Sequence, residues 1–197
     1  MKKLNSITMF VAIALVLTII SIFATGCSAE EIAEQFEFDD MVVRAETGDN
    51  TMGGASTRLI DKEPSRTQNI RLAVESTNGA VIQSGEEFSF NNTVGVRTPE
   101  RGYKKATVFF GREKVQEYGG GICQVSTTIY QAAKNADLEI VERHQHKREI
   151  SYAELGQDAT VDYDAGFDLT FKNNTDSSIK IHVSMDDTHV HVTIDRM

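Results

Sequence analysis

Three successive glycines, Gly119-Gly120-Gly121, lead straight into Ile122-Cys123-Gln124-Val125, and from there Val125, Ile129, Ala132, Ala133 and Ala136 recur at i, i+4, i+7, i+8 and i+11. That spacing puts one apolar stripe on a helix. Cys123 falls in or just before the first turn, where unpaired N–H groups and the positive end of the macrodipole favour an anion. Its thiol pKa should drop below the free value of about 8.5. Gly119, Gly120 and Gly121 remove side-chain bulk beside the sulfur, so they read as a place for close approach, with a substrate-binding role. The bland alternative is a small buried apolar cysteine.

The first 26 residues read as an export signal: Lys2 and Lys3, an apolar core from Ile7 to Phe23, then Ala24-Thr25-Gly26 before Cys27. The small residues ahead of Cys27 resemble a bacterial lipobox, which makes Cys27 the candidate lipidated residue. An uncleaved membrane anchor is the rival, since the apolar stretch is near the roughly 17-residue lower limit for a spanning helix. Both place the domain on the extracytoplasmic face of a bacterial membrane. With two cysteines in the chain and one carrying lipid, Cys123 has no disulfide partner. An unpaired thiol in an oxidising compartment is either buried or used. Removing residues 1–26 takes two lysines and no acids from a net charge of −9, leaving −11. Such a charge argues against nucleic acid, which rewards basic patches.

Residues 27–55 are acidic and aperiodic and read as a tether, with one short strand around Met41–Ala45; 56–197 form one domain. A helix is expected over Ser65–Asn78, N-capped by Ser65 or Thr67. Short apolar runs follow at Ala80–Ile82 and Glu87–Phe90. Ala106–Phe110 and Glu113–Tyr118 read as strands about a Gly111-Arg112 turn. After the Cys123 helix the pattern is β: Leu138–His146, Arg148–Tyr152, Asp158–Tyr163, Phe167–Lys172, Ser178–Met185 and Thr188–Ile194. The last two make a hairpin around Asp186-Asp187. A two-residue turn sets His182 opposite His191 and Ser184 opposite His189. This histidine cluster reads as a solvated face, with no placed carboxylate to complete a metal site, and neither metal nor cofactor is expected.

A thiolate enzyme needs a base and a group that orients the base. His146, with His144 in reserve, lies on the strand after the helix, both pointing to one side at period two. Asp158 opens the next strand. The fold class is α+β: an N-terminal helix and a cysteine-bearing helix packed on a mostly antiparallel sheet, in the element order of papain-like and transglutaminase-like sites. Glu139, Glu142 and Glu149 read as solvated, and Asp158 serves equally well as a turn cap.

Phe88-Ser-Phe-Asn91, Arg101-Gly-Tyr103, Gly119–Thr128, Glu142-Arg-His-Gln-His146, Asp158-Ala-Thr-Val161 and Asp168-Leu-Thr-Phe-Lys-Asn173 together resemble the VanW family, over about Ser56 to Thr175. Lys147 and Gln157 depart from the usual pattern without removing a thiol, imidazole or carboxylate. The resemblance implies a bacterial cell-envelope setting and a link to peptidoglycan or glycopeptide resistance. The combined expectation is a membrane-anchored Cys123–His146–Asp158 hydrolase or acyltransferase acting on amide bonds of peptidoglycan or envelope peptides. The alternative is a non-catalytic peptidoglycan-binding or scaffolding accessory protein.

Overall fold

The computed structural model describes residues 50–110 and 113–197. The export signal, Cys27, most of the acidic tether, the strand expected near Met41–Ala45 and the Gly111-Arg112 turn lie outside the described residues. Among the described residues no helix is long and apolar enough to cross a membrane.

The elements run β1 (Thr51–Arg58), α1 (Pro64–Thr77), β2 (Val81–Ile82), β3 (Glu87–Ser89), α2 (Phe90–Val94), a 3-10 turn (Pro99–Arg101), β4 (Lys105–Phe110), β5 (Glu113–Tyr118), α3 (Cys123–Asn135), β6 (Glu139–Glu142), β7 (Thr170–Lys172), β8 (Ile179–Met185) and β9 (His189–Arg196). They make three antiparallel sheets, ordered β1-β9-β8-β2, β3-β7-β6 and β4-β5. The class is α+β, as the periodicity indicates.

Alternation along β8 and β9 decides where the core sits. Ile179, Ile181, Val183, Val190, Val192 and Ile194 all point inward and are fully or almost fully buried. Helix α1 covers β8, while α3 covers β1 and β9 with Val125, Ile129, Ala132 and Ala133. Truncating one of these larger aliphatics to alanine should cost about 2–5 kcal/mol.

Four expectations need correction. Helix α1 is capped by Glu63, not by Ser65 or Thr67: its carboxylate accepts from the N–H groups of Ser65 and Arg66, and Pro64 takes the first helical position, where no N–H is required. The folded domain begins ahead of residue 56, because β1 starts at Thr51. The hairpin register is shifted by two: His182 pairs with Thr193 and Ser184 with His191. Here Asp186 Oδ1 accepts from the Thr188 N–H (2.6 Å), the Thr188 hydroxyl (2.7 Å) and the His189 N–H (2.8 Å), and these bonds build a longer side-chain-capped turn. A shift of two leaves every side chain on its own face, so the core pattern survives.

The fourth concerns the segment after α3. Strand β6 stops at Glu142, and 148–152 and 158–163 contribute only isolated bridges, His144 to Thr160, Ile150 to Ala153 and Asp162 to Phe167. The base and its orienter therefore sit on irregular chain rather than on successive strands. A papain-like or transglutaminase-like fold is not supported, and no solved structure matches the chain.

Candidate thiol site

Cys123 is the first residue of α3. Its Sγ lies 3.6 Å from Thr160 Oγ1 and 3.5 Å from the Val161 carbonyl oxygen. One polar row of the helix grips the 157–161 segment throughout. The Ser126 hydroxyl donates to the Ala159 carbonyl at 2.7 Å, and Thr127 Oγ1 accepts from the Ala159 N–H at 3.0 Å. Farther along, the Gln131 amide donates to the Gln157 carbonyl at 2.9 Å. Cys123, Thr127 and Gln131 are four residues apart and share a face. Their partners run backwards, from Val161 to Ala159 to Gln157. The helix thus substitutes for a neighbouring strand and satisfies backbone groups that no sheet covers.

That grip delivers Asp158. Its Oδ2 accepts from the His146 N–H at 2.7 Å and lies 2.6 Å from His146 Nδ1. Arg143 holds the other side, donating from Nη2 to Asp158 Oδ1 at 3.2 Å and from Nε to the Asp158 carbonyl at 2.6 Å. The guanidinium also lies over the Tyr130 ring on α3, 4.7 Å from the centroid. With Nδ1 engaged, His146 has Nε2 available for proton transfer, and the imidazole interacts with the Cys123 thiol.

The electrostatics are mutual. Burial pushes the Cys123 thiol up, but the polar and coulombic pull of His146 outweighs it, and the thiol ends below its ordinary value. Burial pushes His146 down, while Cys123 and Asp158 more than reverse this, leaving it raised. Burial also works against ionised Asp158, yet the His146 N–H and imidazole hold its carboxyl below the usual range. Each shift favours thiolate, imidazolium and carboxylate in a row.

His144 is not part of this group. Its Nε2 lies 2.8 Å from Glu142 Oε1, and its ring stacks on Phe167 with centroids 4.4 Å apart. The period-two argument fails because the strand has already ended. Glu142, read as solvated, instead holds His144 and accepts from the Asp168 N–H at 3.0 Å.

Gly119 and Gly120 are buried, and the space beside all three glycines belongs to the protein itself. A Cβ on Gly120 would lie 2.8 Å from the Ala106 carbonyl oxygen; on Gly119 and Gly121 it would meet the Arg97 and Arg66 side chains. The run lets the approach to the helix pass tightly between β4 and these two arginines.

Sequence reasoning missed Arg143, Ser126, Thr127 and Arg97. Arg97 packs against Gly119, donates from Nη2 to Asn91 Oδ1 at 2.7 Å, and lies over the Phe90 and Tyr163 rings. Its Nε and Nη1 have no hydrogen-bond partner among the described residues. Only the four-residue spacing of Cys123, Thr127 and Gln131 could have signalled the polar row.

Fold and site together describe an α+β domain that carries an internal cysteine–histidine–aspartate group. The family model described as "VanW like protein" matches residues 65–195. The chain is 37% identical over 161 residues to the uncharacterized protein YoaR of Bacillus subtilis (strain 168), an overlap covering 81% of this chain and 53% of that protein. It is 31% identical over 127 residues to the vancomycin B-type resistance protein VanW of Enterococcus faecalis (strain ATCC 700802 / V583), covering 62% and 46% respectively. The chain belongs to the VanW-like family. It spans about half the length of the curated relatives it matches.

Proposed function

We propose that this chain is a cell-envelope cysteine hydrolase or acyltransferase acting on amide bonds of peptidoglycan stem peptides or envelope proteins. The reading rests on one observation: a thiol at a helix N-terminus coupled electrostatically to an imidazole whose Nδ1 is 2.6 Å from a carboxylate. In this mechanism Cys123 Sγ attacks the carbonyl carbon, forming a C–S bond, and the Cys123 N–H at the helix start contributes to stabilising the oxyanion. His146 gives its proton to the departing nitrogen as the C–N bond breaks. It then deprotonates the water or amine that releases the thioester, while Asp158 keeps the imidazole oriented. Export and lipid anchoring at Cys27 would bring the site to its substrate on the outer face of the membrane.

The test is the alkylation rate of Cys123 by iodoacetamide against pH, in wild type and His146→Ala, followed by mass spectrometry of the chain incubated with stem peptides. A thiol pKa below about 8.5 that rises in the variant, with an acyl adduct on Cys123, supports the reading. An ordinary thiol indifferent to His146 would overturn it.

The engagement of Cys123 Sγ by Thr160 and the Val161 carbonyl favours a second reading, a non-catalytic peptidoglycan-binding or scaffolding protein linked to glycopeptide resistance in which the thiol is a packed, inert residue. It predicts binding of wall fragments that survives Cys123→Ala.

A further inference from the structure

The two-residue register shift in the β8–β9 hairpin assembles a group of side chains away from the thiol. Asp186, His189 and His191 bring one carboxylate oxygen and two imidazole nitrogens within 4.8 Å of one another. His189 and His191 are two apart on β9 and share its outer face, with ring centroids 5.6 Å apart. The two oxygens of Asp186 do separate jobs. Oδ1 is engaged by the turn, whereas Oδ2 faces His191 Nε2 at 3.0 Å. His191 Nδ1 lies 2.8 Å from the Ser56 hydroxyl on β1, and His189 Nδ1 lies 2.9 Å from the Thr188 hydroxyl. Both rings are therefore fixed through Nδ1, the arrangement that orients a ligating imidazole.

We propose that this hairpin tip binds a borderline divalent cation, zinc foremost, through Asp186, His189 and His191. Two imidazoles and a carboxylate suit zinc, and three protein ligands leave the fourth position of a tetrahedron to water or to a group from outside. The side chains of Asp186 and His191 are exposed, so an ion can enter from solvent. His182 takes no part, because its Nε2 is with Asp195 Oδ2 at 3.4 Å. A bound ion would tie the turn to β9.

The experiment uses the full chain, stripped of metal by chelator dialysis and titrated with zinc chloride in competition with a chromogenic chelator. One equivalent should bind, and Asp186→Asn, His189→Ala and His191→Ala should each weaken it about tenfold or more. His182→Ala and Cys123→Ala should leave it unchanged, and circular dichroism should report folded protein throughout. The proposal fails if a folded His189→Ala/His191→Ala double variant holds zinc as wild type does, or if binding is lost with Cys123.

Discussion

Gln124 accepts a hydrogen bond from Arg66 at 2.9 Å through Oε1, while its amide nitrogen donates to Thr57 Oγ1 at 3.1 Å and to the Arg58 carbonyl at 3.0 Å. The residue next to Cys123 is thus tied at once to α1 and β1, and it is fully buried. Gln124→Leu keeps much of the volume but leaves the Arg66 guanidinium and the β1 groups without these partners. Stability should fall by about 1–3 kcal/mol in urea unfolding. Retention of wild-type stability would mean that water or a repacked side chain replaces the bonds.

Gly53 predicts a sharper effect. A Cβ there would lie 2.5 Å from the Ala136 nitrogen and 2.7 Å from the Ala132 carbonyl oxygen, both of them backbone atoms. Gly53→Ala should cost about 1–3 kcal/mol by forcing β1 off the C-terminal end of α3. Gly79→Ala is the comparison, since nothing lies within 4 Å of its added Cβ and any loss there reflects its positive φ alone. Equal losses in the two variants would count against close packing at Gly53.

Asp158 carries a signed pH dependence. Its carboxyl is held below the ordinary carboxylate value of about 4, so it contributes stability that is present above that value and lost as pH falls through the folded one. Between about pH 5 and about pH 3 the wild type should therefore lose more stability than Asp158→Asn, measured by urea midpoints. Other carboxylates titrate equally in both proteins and cancel. Parallel losses would show that Asp158 is not depressed.

The two histidines should separate cleanly by thiol reactivity near neutral pH. His146→Ala should slow alkylation of Cys123 by about threefold for each unit that the thiol pKa rises, because the loss of thiolate is partly offset by its greater nucleophilicity. His144→Ala should leave the rate unchanged, because its ring is committed to Glu142 and Phe167. A comparable slowing in both variants would argue for general disturbance of the segment.

What was legible depended on whether one face of an element carries the pattern. The β8 and β9 alternation and the α3 stripe were readable because apolar burial alone sets them. Thr51–Ala55 falls in a stretch read as tether for its acidity and lack of periodicity, when the missing side chain of Gly53 is what allows β1 to cross α3. The hairpin register escaped because Asp186 builds its turn with a side chain rather than by the shortest backbone route. Cys123, His146 and Asp158 could be named as candidates, but their meeting depends on Ser126, Thr127 and Gln131 holding a segment without strand pattern. Polar contacts of that kind leave no periodic trace in the segment being held.

The order β1-β9-β8-β2 puts the last-made strand in the middle of its sheet, between the first strand and the one before it. While the chain is being synthesised, β1 has no strand partner among the described residues until 189–196 emerge. The sheet beneath α3 then closes in one late, long-range event, which makes folding slow relative to local hairpin formation. A chain truncated before Val190 would lack the strand that bridges β1 to β8, so the thiol site should mature only after the domain has been made in full.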